Sequence, residues 1–121
     1  MSTRTIISAK MKGMVYAIYC HHDGYPDHIA PLLLDVYKTQ DKIEELILLG
    51  DTSAIYETIE KCDPYTKRGE SAEDNAPEIT HNWKRRDCND FNYQYFWDGQ
   101  QWLFVYKESA LTPLSTWKED K

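Results

Sequence analysis

Two β-prone runs open the chain, TRTIISAK and MVYAIYC, with MKG between them. Gly13 supplies the positive φ that a tight reversal needs, so the pattern predicts an N-terminal β hairpin. In the second run Val15, Ala17 and Tyr19 share one face, while Tyr16, Ile18 and Cys20 share the other. Both faces are largely apolar, which suits a strand in the middle of a sheet. The rhythm then lengthens. In IAPLLLDVYKTQDKIEELILLGD, Ile29, Leu33 and Val36 or Tyr37 recur at helical spacing. Pro31 is tolerable only in a first helical turn, so the first helix is expected to begin near residues 28–31 and to end near Lys38. Thr39 reads as the N-cap of a second helix, with Asp41 in its first turn. Ile43, Leu46 and Ile47 carry its apolar stripe, and Gly50 is a natural stop. TSAIYETIEKC predicts a short third helix or a turn.

Residues 63–78 hold Pro64, Gly69, Pro77 and mixed charges, the pattern of a loop. ITHNWKRR reads as an edge strand. FNYQYFWDGQQWLFVYK then gives the strongest local signal: Asp98-Gly99 between aromatic-rich runs predicts a second hairpin. A two-residue loop sets Tyr95 opposite Trp102 and Tyr93 opposite Phe104, whereas a three-residue loop sets Phe96 opposite Trp102. The two-residue register is the expectation. It gathers Phe91, Tyr93, Tyr95, Trp97, Trp102, Phe104 and Tyr106 on one face. The architecture that follows is α+β: an N-terminal β hairpin, two or three short helices, and a C-terminal aromatic hairpin completing a mainly antiparallel sheet. Residues 1–108 form one domain, with 109–121 a loosely held tail in which Leu114 and Trp117 offer docking points.

Composition narrows the function. The chain has 121 residues, enough to bury a core without staples, and 13% of them are aromatic, too many for a disordered segment. Its formal charge of −6 argues against a default nucleic-acid binder, since phosphate contacts demand a basic surface. The WKRR cluster, Trp83 to Arg86, beside the aromatic hairpin is the one stretch that suits a nucleic-acid-binding module. Cys20, Cys62 and Cys88 are odd in number and far apart, which points to reduced thiols. Lys10 and Lys12 break any signal-like apolar run, and no stretch of eighteen apolar residues exists. The expectation is a protein with no membrane role and no obvious export signal.

The chemistry-bearing stretch is YCHHDGYPDH, residues 19–28. His21, Asp23 and His28 offer nitrogen and oxygen ligands to a metal, with Cys20, His81 or Cys88 able to join in space. A His/Asp pair also suits acid–base catalysis. Yet no two His share helical i, i+4 spacing, and no phosphate loop or nucleophile elbow accompanies them. The structural reading explains more residues. Asp23-Gly24 turns the chain, Tyr25 is extended because Pro26 follows, and Asp27 caps a helix start. The histidines then hydrogen-bond the corner.

This motif, with LLLDVYKTQDKIEELILLGDTSAI after it, resembles a family of small, largely uncharacterised proteins of tailed phages and mobile elements. The family pattern is Tyr-x-His-Trp-Asp-Gly-Tyr-Pro, then a Leu-Leu-x-x-Tyr helix, a helix ending in Leu-Gly-Asp, and an aromatic hairpin. Tyr19, His21, Asp23, Gly24, Tyr25, Pro26, Leu33, Leu34, Tyr37, Leu49, Gly50, Asp51 and the Asp98-Gly99 to Trp102 turn match it. His22 stands where the family has Trp. The resemblance implies an accessory protein acting in a host bacterial cytoplasm. The expected function is non-enzymatic: binding and inhibiting a host protein, a defence component being the favoured class, in the manner of an anti-CRISPR inhibitor. The expected partner surface is His21, Asp23, Tyr25, Trp97, Asp98 and Trp102. No cofactor is expected, and a homo-oligomer through the aromatic face is compatible with the pattern. The rival is a metal-dependent enzyme or metal-binding protein using His21, Asp23 and His28.

Overall fold

The computed structural model describes residues 4–22, 24–86, 90–91, 93–106 and 110–116. β1 (Thr5–Met11) and β2 (Met14–Cys20) form the predicted hairpin. Its reversal is Lys12-Gly13, both at positive φ, the backbone twist that matches the flanking strands. α1 (Pro26–Pro31) and α2 (Gln40–Ile47) follow, then β3 (Glu78–Thr80), β4 (Tyr93–Trp97), β5 (Trp102–Tyr106) and β6 (Thr112–Pro113). The fold is α+β, with a six-stranded sheet in the order β3-β2-β1-β4-β5-β6.

The sheet is mixed rather than mainly antiparallel, because β1 and β4 run parallel at its centre. This pairing joins Thr5 to Tyr93 and Ala9 to Trp97. A parallel pair needs a long crossover, and the helices and β3 lie within it. The face carrying Ile7, Ala9, Met11, Ile18, Tyr95 and Trp97 packs with Ile29, Leu33, Ile43, Leu46 and Ile47 of the helical segment in one core. Each of those five helical-segment residues is fully buried, worth about 1.5–3 kcal/mol apiece. The other face also buries Ile6, Ser8, Val15, Ala17, Gln94 and Val105. There Trp83 stacks on Phe96 at 6.0 Å, and the Gln94 carboxamide bonds both Arg86 backbone groups, at 2.7 and 3.1 Å.

The helices depart from expectation at one proline. α1 starts at Pro26, not near residues 28–31, so Pro31 closes it. Pro31 cannot donate to the Asp27 carbonyl and its ring crowds that group. The next turn widens: Leu32–Val36 is π-helical, with Tyr37 N–H bonded to the Leu32 carbonyl at 2.9 Å. Asp27 lies inside the first turn and makes no capping bond. Thr39 does cap α2, its hydroxyl accepting from Lys42 N–H at 3.5 Å. TSAIYETIEKC forms turns and a bridge rather than a helix. The edge strand ends at Thr80, and WKRR is irregular, with the Arg86 backbone bonded to the Gln94 side chain.

The second hairpin has a four-residue loop, Asp98 to Gln101, not two. Trp97 pairs with Trp102, Tyr95 with Phe104 and Tyr93 with Tyr106. The Asp98 carboxylate fixes this turn by accepting from Gln100 and Gln101 N–H at 2.8 and 2.9 Å. That side-chain turn competes successfully with the tighter Asp-Gly reversal. The register has slipped by two residues, so the same rings still share a face. β6 pairs with β5, and Leu114 beyond it is fully buried; Trp117 lies outside the described residues.

Candidate functional site

The corner after β2 is laced rather than loose. His21 and His22 N–H groups donate to the Thr52 and Ser53 carbonyls at 3.1 and 2.8 Å. Thr52 N–H returns to the Tyr19 carbonyl, and the Asp51 carboxylate accepts from Tyr19 N–H at 2.9 Å. The Tyr19 hydroxyl and His21 Nδ1 share a hydrogen bond of 2.8 Å. His28 Nε2 lies 2.9 Å from the Ile55 carbonyl, which can only accept, so that nitrogen carries the proton. Burial, with help from His22 and Arg4, pushes the His21 imidazole below its ordinary value and favours its neutral form. Burial likewise raises the Tyr19 and Tyr65 phenols. His21 and His28 thus hold the corner together by hydrogen bonds. Asp23, the middle ligand of the candidate metal set, lies outside the described residues, as does Cys88. Among the described residues no three His, Cys, Asp or Glu side chains are grouped to hold a metal.

Asp51 has a consequence for pH. Burial pushes its carboxyl above the ordinary aspartate value, and the Tyr19 N–H bond only partly opposes this. A folded-state value above the unfolded one means the native chain holds that proton more tightly. The contribution to stability is then full below the unfolded value and is lost as pH rises through the folded one. Asp51→Asn keeps an oxygen for Tyr19 N–H without the charge. It is expected to match or exceed wild-type stability at pH 7 and to lose the part of the slope that lies above the ordinary aspartate value. Asp51→Ala, which strands the N–H, is expected to cost about 1–2 kcal/mol. Urea unfolding as a function of pH checks both.

The aromatic face is a ladder of three cross-strand ring pairs, graded in burial. Trp97 and Trp102 meet at 5.7 Å, Tyr95 and Phe104 at 6.4 Å, and Tyr93 and Tyr106 at 4.8 Å. The tryptophan end is closed. Trp97 and Trp102 are 7% and 3% exposed. Their indole N–H groups donate to Gln40 Oε1 and the Tyr37 carbonyl, both at 2.8 Å. These rings, expected to face a partner, are core residues instead, because the chain from Leu33 to Gln40 lies over them. Asp98 spends its carboxylate on the loop.

The tyrosine end is open. Tyr106 is 42% exposed and Tyr25 38%. With Pro26, Asp27, Tyr93 and Phe104 they line a groove of ≈ 310 Å³. It sits where β4 begins and β5 ends, beside the corner that leads into α1. Hydrogen bonds hold the described residues of the corner. The buried Tyr95 hydroxyl donates to the Gly24 carbonyl at 2.8 Å. The Tyr25 carbonyl takes His28 and Ile29 N–H groups at 3.1 Å. Tyr25 has the extended φ/ψ of −77°/153° expected before proline. No family model, curated protein or solved structure matches the chain. Among the described residues of the expected surface, Tyr25 is exposed, and the groove beside it is lined also by Asp27, Tyr93, Phe104 and Tyr106. The shared face of the last three was readable from strand parity; which end of it stayed uncovered was not. No helix among the described residues is long and apolar enough to cross a membrane.

Proposed function

We propose that this chain is a small non-enzymatic accessory protein of a phage or mobile element that binds and inhibits a host bacterial protein, a defence component being the class of target. The observation that carries the binding reading is the open tyrosine end of the ring ladder. Tyrosines supply large contact area at little conformational cost, and they are enriched among interface hot spots. The groove is also preorganised by Pro26 and by the Tyr95–Gly24 bond, which lowers the ordering cost of association. The host and the class of target rest on the resemblance of the YCHHDGYP stretch and the helices after it.

The test is capture from a bacterial lysate with the tagged full chain, followed by mass spectrometry and binding measurements on the partner found. One host protein is expected at stoichiometric amount. The doubly substituted Tyr25→Ala/Tyr106→Ala chain is expected to bind it at least about tenfold more weakly while remaining folded. Leu48→Ala, at an exposed side chain outside the groove, is expected to bind normally. A clean preparation with no partner, or full binding by the folded double variant, would refute the reading.

A further inference from the structure

We infer that the groove at the tyrosine end is a seat for an arginine side chain of the partner protein. The inference rests on the protein-binding reading above and names the chemistry it would use. Four aromatic rings, Tyr25, Tyr93, Phe104 and Tyr106, line the groove together with one carboxylate, Asp27. Among the described residues lining it there is no Lys, Arg or His. The chain as a whole carries −6, so its field adds to the local one.

Ring faces attract a cation through their quadrupole, and a carboxylate beside them supplies the opposite charge. Those two demands together select a guanidinium. Its plane stacks on an aromatic ring while its N–H fork pairs with a carboxylate, whereas an ammonium is a compact and strongly hydrated charge. At ≈ 310 Å³ the groove is at the small end of ligand sites, a fit for one side chain rather than an extended molecule. Tyr25 and Tyr106 keep 38% and 42% of their surface open, so the seat is reachable from solvent.

The test is an NMR titration of the full chain with N-acetyl-arginine N-methylamide, and with its citrulline counterpart, which has the same shape without the charge. The arginine derivative is expected to shift the Tyr25 and Tyr106 ring resonances and to bind about fivefold or more tightly than citrulline. Asp27→Asn is expected to weaken the arginine derivative by roughly three- to tenfold and to leave citrulline unchanged. Equal affinity for both derivatives, or no shift at the groove with arginine, overturns the inference. If arginine fails here while partner capture still depends on Tyr25 and Tyr106, the protein-binding reading survives and the groove takes an uncharged side chain. If arginine binds as expected but no partner is captured, the protein-binding reading falls, and with it the inference that the seat serves a partner's arginine.

Discussion

Trp102→Ala is expected to lower the free energy of unfolding by about 3–5 kcal/mol. The ring is almost fully buried, meets Trp97 at 5.7 Å, and donates its indole N–H to the Tyr37 carbonyl. Removing it opens a cavity between β5 and the helical segment and leaves that carbonyl without its donor. A domain of this size has only about 5–15 kcal/mol in total, so the variant should unfold at markedly lower urea. Trp102→Phe separates the two losses. It keeps most of the ring volume but strands the Tyr37 carbonyl, at a cost of about 1–3 kcal/mol. Tyr106→Ala, at the other end of the same ladder, loses one cross-strand ring pair and, with 42% of the residue already exposed, less burial than Trp102, about 0.5–1.5 kcal/mol. The ladder should therefore divide into a stability end and a binding end. Equal stability losses at Trp102 and Tyr106 would contradict that division.

The same ladder shows what was legible in the sequence. Strand parity placed Tyr93, Tyr95, Trp97, Trp102, Phe104 and Tyr106 on one face, and the slip from a two-residue to a four-residue loop preserved it, because an even shift leaves the faces unchanged. The four-residue loop was not legible, since the Asp98 carboxylate caps it through two backbone N–H groups and the same Asp-Gly pair suits a tighter turn. Which rings would be covered depends on where the chain from Leu33 to Gln40 lies, a long-range fact with no local signature. The β1–β4 parallel pairing is of the same kind: residues about ninety apart meet, and nothing near either strand announces it. Both faces of β2 read as apolar, and the structure covers both. The cover on the second face includes Trp83 and Arg86, residues whose composition had suggested a nucleic-acid platform. At the corner, the polar residues were legible as hydrogen-bonding connectors, and His21 and His28 act so. Asp27, whose place before a helix suits a cap, lies instead in the groove wall.

Gly50→Ala is expected to cost about 3 kcal/mol or more, for two reasons that act together. Gly50 ends the helix signal after α2 with a φ of +80°, a left-handed conformation that strains any residue bearing a Cβ. A Cβ built there also runs into the backbone carbonyl of Asn75, with the Asn75 carbonyl carbon at 3.2 Å. That carbonyl cannot simply move away, because it accepts the Asp51 N–H at 2.8 Å. Asp51 in turn holds the Tyr19 N–H, so displacement of Asn75 spreads into the corner beside His21. Gly50→Asn discriminates between the two causes. Asparagine tolerates the left-handed region better than alanine, yet it carries the same Cβ. If the close approach of residue 75 matters, Gly50→Asn remains well below wild type in urea unfolding, and hydrogen exchange at the Asp51 amide accelerates in both variants. Near-wild-type stability for Gly50→Asn would mean that backbone conformation alone sets the requirement, and that the segment around Asn75 yields without cost to the corner.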